Sequence, residues 1–195
     1  KDNCFLHITD LSIQRSFAVF DYFIYRKGIP LYLEGYLKRF RNSVSIMGIE
    51  FEMDDQQLEE AVLELIRLNE VKEGGIKFIY TGGYASNGYD ANEPNFIIMQ
   101  LELPIVPAIH YQNGVKLIVE KYLRDFPKAK TTDYFFSLSL KKKLAEEKAF
   151  DVLYHSHGCI SESSRSNFFI IDKNDKLITT KKNILFGVTR DALIN

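Results

Sequence analysis

Three chemistries follow one another along the second half of this chain: an amine, a carboxylate, and a hydroxyl beside a glycine. Lys130 sits in Phe126-Pro-Lys-Ala-Lys-Thr-Thr-Asp-Tyr134, Glu162 in Ser161-Glu-Ser-Ser-Arg-Ser-Asn-Phe-Phe169, and Thr189 in Gly187-Val-Thr-Arg190. An amine can condense with an aldehyde to a Schiff base, and a carboxylate can face a ring nitrogen and keep it protonated. A helix start presents N–H groups to a phosphate, which Val188 and Thr189 can do here. Together these are the parts needed to hold pyridoxal 5'-phosphate. Each residue alone has a blander reading: Lys130 as a solvated surface lysine, Glu162 as an exposed strand carboxylate.

The elements around these residues can be read from periodicity. Phe17 to Tyr25 is aromatic and β-branched and is followed by Gly28-Ile-Pro30, a strand and a turn. Tyr36 to Met47 carries Leu37, Phe40, Val44 and Met47 on a helical stripe, with Lys38, Arg39 and Arg41 outside it. A second helix is predicted from an Asp54 or Asp55 N-cap through Leu58, Ala61, Val62, Leu65 and Ile66, stopped by Gly74-Gly75. Strands follow at Ile76–Thr81 and Asn95–Leu103, so 1–103 reads as a small α+β domain. Two prolines make 104–108 a linker, and 109–195 forms the second domain. In it, Val115–Tyr122 reads as a strand and Tyr134–Lys148 as one helix. Short strands are expected at Phe150–His155, Cys159–Ser161, Phe168–Ile171 and Leu177–Thr180, and Asp191–Asn195 opens a last helix.

From about Leu11 to Asn195 these motifs, in this order, resemble the class IV aminotransferases, the fold-type IV pyridoxal-phosphate enzymes. That group includes branched-chain aminotransferases, D-amino-acid aminotransferases and aminodeoxychorismate lyases. The resemblance implies a small N-terminal α+β domain and a larger β-rich pseudo-barrel domain, with Lys130 as the Schiff-base lysine. It matches Glu162 to the glutamate of Glu-x-x-x-x-Asn-aromatic, which here runs on through Asn167 and Phe168, and assigns Asn167 to pinning the strand turn. It matches Arg39, in Tyr36-Leu-Lys-Arg-Phe-Arg-Asn-Ser43, to the arginine that clamps the cofactor phosphate, although Lys38 and Arg41 are near rivals. Val188 and Thr189 complete the phosphate cup, despite a shortened loop before Gly187 and Phe186 in an unusual place. Arg165 has no assigned role.

Within the group the signals divide. D-amino-acid enzymes carry an arginine where this chain has Gly82, which disfavours that specificity. Ile76 to Tyr89 looks closer to the lyase branch, with Lys77 a substrate contact and Asn87 where arginine is common there. Val19-Phe20-Asp21 resembles the Val-Phe-Glu of branched-chain enzymes, in which an aromatic lines an apolar substrate pocket. Branched-chain-type transamination is therefore the first expectation, a lyase the second, and a degenerate binding or dimerisation module the third. The resemblance also implies a homodimer, to which 15 Phe and 11 Tyr could contribute surface, and a C-terminal region that ends earlier than the family pattern. The first strand of the small domain is expected to be partly missing before Asp10.

Composition excludes other classes. A net charge of -1 gives no basic footprint for nucleic acid. No apolar run approaches the ~20 residues of a membrane span, and a cytoplasmic protein is expected. Cys4 and Cys159 make neither a disulfide framework nor a metal site. His155 and His157 flank a glycine turn without an evident third ligand and read as surface histidines. Gly82 to Gly88 lacks the lysine and helix of a P-loop and reads as a mobile active-site loop. Lys141-Lys-Lys143 reads as a solvated helix face.

Overall fold

The computed structural model describes residues 4–195 and divides into two compact units. The first comprises Lys1–Pro104 and Ala129–Asp133, and the second Ile105–Lys128 and Tyr134–Asn195. The segment carrying Lys130 thus packs with the N-terminal unit, which a single cut at 104–108 does not anticipate.

The first unit runs α1 (Leu11–Arg15), β1 (Ala18–Arg26), β2 (Ile29–Pro30), α2 (Leu33–Met47), α3 (Asp55–Asn69), β3 (Glu73–Thr81) and β4 (Phe96–Leu101). Its strands form one antiparallel sheet in the order β2-β1-β3-β4. The two-residue period of β1 buries Val19, Asp21, Phe23 and Tyr25 on one face and leaves Phe20, Tyr22 and Ile24 half-buried on the other. Against the buried face pack Leu37, Phe40 and Val44 of α2 and Leu58, Val62 and Ile66 of α3. The Phe40 ring meets Phe51 and Phe78 edge-on. Each such side chain contributes about 1.5–3 kcal/mol of transfer free energy. Many of the aromatic rings are therefore spent on this core.

Several boundaries differ from the sequence reading. Asp54 is the N-cap of α3, in a reciprocal capping box with Gln57. That helix ends at Glu70 in the left-handed conformation, not at Gly74-Gly75. Those two glycines lie inside β3, where a Cβ would lie 2.7 Å from the Tyr25 hydroxyl and 2.8 Å from its ring, and 2.3 Å from the Tyr22 hydroxyl and 2.4 Å from its ring. They are needed for close packing rather than for stopping a helix. α2 begins at Leu33, three residues before the expected Tyr36. The described residues before Asp10 form coil and a turn, and Asp10 caps α1 through Ser12 N–H at 2.8 Å.

The second unit holds α4 (Ala108–Asn113), β5 (Leu117–Lys121), α5 (Phe135–Ser139), α6 (Lys141–Glu146), β6 (Asp151–Ser156), β7 (Cys159–Ser163), β8 (Phe169–Ile171), β9 (Leu177–Thr179) and α7 (Val188–Ile194). β5 and β6 pair in parallel and β6 with β7 antiparallel, while β8 and β9 make a separate hairpin. The helix expected over 134–148 is broken near Leu140. Ser137 and Ser139 donate to the carbonyls of Tyr134 and Phe136, competing with the backbone ladder. α7 starts at Val188 rather than Asp191.

Candidate active site

Lys130 is placed by backbone pairing with β1. Lys130 C=O accepts from Phe20 N–H at 2.9 Å, Thr132 N–H donates to Ala18 C=O at 3.0 Å, and Val19 bridges Thr131. The Lys130 N–H donates to Ser43 Oγ of α2 at 2.9 Å. Ala129 is fully buried beside it. The side chain then extends over the half-buried face of β1, with Nζ 4.4 Å from the centre of the Phe20 ring. Lys77 Nζ lies 5.2 Å from the same ring. Two of the sequence candidates, Phe20 and Lys77, thus share a neighbourhood with Lys130, and the ring holds cations on its negative face.

Periodicity left Lys38, Arg39 and Arg41 unresolved, and the packing gives each a different direction. Lys38 is exposed. Arg41 turns to Asp55 and to the Met53 carbonyl. Arg39 turns to β1, where Nε and Nη2 reach the two carboxylate oxygens of Asp21 at 2.9 and 2.5 Å. Asp21 is fully buried and also accepts from Tyr22 N–H at 2.7 Å. The carboxylate fixes the plane of the guanidinium fork, which the Tyr36 ring backs at 5.1 Å.

In the second unit Glu162 is 5% exposed, far from the exposed strand carboxylate that its type suggests. Its Oε1 accepts from Arg124 Nε at 3.0 Å and Nη2 at 2.5 Å. Its Oε2 accepts from Leu185 N–H at 2.9 Å and lies 3.4 Å from Asn167 Nδ2. Asn167 also donates to Leu185 C=O at 2.8 Å and accepts from Gly187 N–H at 3.1 Å. Glu162 is thereby tied to the segment that opens α7 and presents Val188 and Thr189. A Cβ at Gly187 would lie 2.2 Å from Asn167 Oδ1, so a larger residue there would push aside the oxygen that accepts the Gly187 N–H. Buried carboxylates persist when their lone pairs are met in this way.

Sequence reasoning missed Arg124, Asp21 and Ser43 as supports of the candidate residues. Arg124 lies six positions before Lys130 in a loop without periodicity, and only the fold shows what it faces. The other motifs carry less chemistry. Gly82–Gly88 is held at its start: Leu11 N–H donates to Gly83 C=O and Ala85 N–H to Thr9 C=O. Lys141, Lys142 and Lys143 are all exposed, and Lys143 meets Glu120 at 2.5 Å on that face. His155 belongs to β6 and His157 to the turn after it. Among the described residues no cluster of three His, Cys, Asp or Glu could hold a metal ion.

The donor set suits pyridoxal phosphate group by group. An aldehyde needs an amine, a ring nitrogen needs an ionised carboxylate, and a phosphate dianion needs a guanidinium and N–H donors. Lys130, Glu162, Arg39 and the start of α7 supply one of each. Residues 18–195 match the family model described as amino-transferase class IV. The chain is 26% identical over 97% of its length to a D-alanine aminotransferase of Bacillus licheniformis, of which it spans 69%. It is 26% identical over 86% of its length to a protein of Methanocaldococcus jannaschii provisionally named a branched-chain-amino-acid aminotransferase, of which it spans 60%. A crystal structure from Legionella pneumophila, provisionally named a 4-amino-4-deoxychorismate lyase, superposes on the whole chain with a TM-score of 0.88 at 26% identity; 73% of that chain is covered. With the motifs, the fold and these likenesses in agreement, this chain belongs to the class IV aminotransferases, the fold-type IV family of pyridoxal-phosphate enzymes.

Proposed function

We propose that this protein carries pyridoxal phosphate on Lys130 and transfers an amino group between an apolar, branched-chain-type amino acid and a 2-oxo acid. The observation that carries the substrate choice is the Phe20 ring, 4.4 Å from Lys130 Nζ and half-buried on the face to which the amine extends. An aromatic wall at the reacting amine favours an apolar side chain by burial. When bound, the cofactor supplies an electron sink for the charge left as the α-proton departs. The chain's own residues do the rest. Lys130 attaches the cofactor through Nζ and, once displaced, carries the α-proton on that atom. Glu162 holds the proton on the ring nitrogen, and Arg124 beside it keeps the carboxylate oriented. Arg39, with its plane set by Asp21, and the N–H groups of Val188 and Thr189 bind the phosphate.

A second reading is favoured by Lys77. Its ammonium, 5.2 Å from the same ring, would suit a substrate with an additional carboxylate, as in the lyase branch. A homodimer, with each subunit helping to close the other's site, belongs to the same proposal and is read by sedimentation at micromolar concentration; a single monomeric species would remove it.

The deciding experiment loads the protein with pyridoxal phosphate, fixes the adduct with borohydride, and maps it by mass. Wild type and Lys128→Ala should carry the adduct, and Lys130→Ala should not. Single-turnover loss of the visible band is then followed with L-leucine, D-alanine and 4-amino-4-deoxychorismate. Response to L-leucine alone supports the first reading. Release of pyruvate from 4-amino-4-deoxychorismate, without response to L-leucine, replaces it with the second. An adduct that persists in Lys130→Ala overturns both.

A further inference from the structure

We propose that Ser43 is a positioning residue for Lys130, coupling the amine-bearing segment to the helix that carries Arg39. The inference rests on the role proposed for Lys130. Ser43 is fully buried in α2, and its hydroxyl has one proton to give and lone pairs to accept with. It donates to Arg39 C=O at 2.9 Å, one helical turn back, and accepts the Lys130 N–H at 2.9 Å. The other side of Lys130 is held by its carbonyl, which takes the Phe20 N–H.

These bonds close a ring of contacts. From Ser43 they lead to Lys130, then to Phe20 and its neighbour Asp21, then through the ion pair to Arg39, and from the Arg39 carbonyl back to Ser43. The amine and the guanidinium are thus referred to one hydroxyl, although 91 positions separate them in sequence. Helix propensity argues against a purely local role, because alanine would serve α2 better and fill the same small volume. What alanine cannot do is receive the Lys130 N–H. Such anchoring matters because a misplacement of ~1 Å at a reacting group can cost about 100-fold in rate.

The test uses hydrogen exchange on the cofactor-free protein together with borohydride fixation on the loaded one. Ser43→Ala should speed exchange of the Lys130 amide on the order of tenfold, while peptides from α3 and β3 keep wild-type rates. The fraction fixed at Lys130 at limiting cofactor should fall by a similar factor. Ser45→Ala, an exposed neighbour on the same helix, should change neither reading. If Ser43→Ala does not fold, Ser43→Cys keeps the volume, weakens both bonds and is read in the same way. Exchange that is unchanged at Lys130, or raised equally in α3 and β3, overturns the proposal. Absence of any adduct in the wild-type protein overturns the role of Lys130 instead, and the exchange pattern still reports whether Ser43 anchors that segment.

Discussion

Replacing Asp21 by Asn isolates the support of Arg39. The substitution is nearly isosteric and keeps Oδ1 for the Tyr22 N–H, but its Nδ2 replaces the acceptor used by Arg39 Nε, so it removes the charge and one of the two bonds to the guanidinium. Breaking a buried ion pair from one side costs roughly 3–5 kcal/mol, because the remaining charge is left without compensation. Asp21 is fully buried, but the Arg39 side chain keeps 11% exposure, so some of its charge is eased by water. A cost at or somewhat below the lower end of that range, about 2–3 kcal/mol, is expected. For a unit of this size that corresponds to a fall in Tm of roughly 10–20 °C. Urea denaturation of Asp21→Asn, Arg39→Met and the double variant, monitored by far-UV circular dichroism, measures the coupling directly. The double variant should lose much less than the sum of the single variants, since it leaves neither charge unpaired. Cofactor affinity should fall in Asp21→Asn as well, because the guanidinium plane is no longer set. A loss below ~1 kcal/mol with additive single variants would show that the pair does not hold Arg39, and the reasoning would be refuted.

Glu162→Gln should still take up cofactor through Lys130 but lose turnover by on the order of 100-fold, since an amide cannot hold the ring nitrogen protonated; wild-type turnover in single-substrate kinetics would remove Glu162 from the mechanism. Gly83→Ala should cost about 2 kcal/mol or more, because φ is +78° and a Cβ would lie 2.0 Å from the Asn92 carbonyl oxygen; an unchanged urea midpoint would contradict this. Burial first, and the Asp151 carboxylate second, push the Tyr154 phenol up from 10.0 to about 12. The unfolded chain therefore loses this proton before the fold does. The contribution is fully present below pH 10 and is lost as pH rises towards 12, by on the order of 2–3 kcal/mol. Thermal melts across this range should show the slope in wild type and a weaker one in Tyr154→Phe.

The sequence by itself pointed to the family and to the candidate residues in their order. Lys130, Glu162 and Gly187-Val-Thr could be found because their residue types and flanking motifs are local, and the same holds for β1, α2 and the capped start of α3. Amphipathic period and capping are written into neighbouring residues, so they survive without tertiary knowledge. What only the tertiary structure decided was which partner each charge meets. Asp21 for Arg39, Arg124 for Glu162 and Ser43 for Lys130 are contacts across 18, 38 and 87 positions. A single sequence carries no period that links such distances. The glycines make the same point: Gly74-Gly75 has the local signature of a helix stop, yet the pair serves β3, because the reason for glycine there is the Tyr25 and Tyr22 rings brought against it by strand pairing.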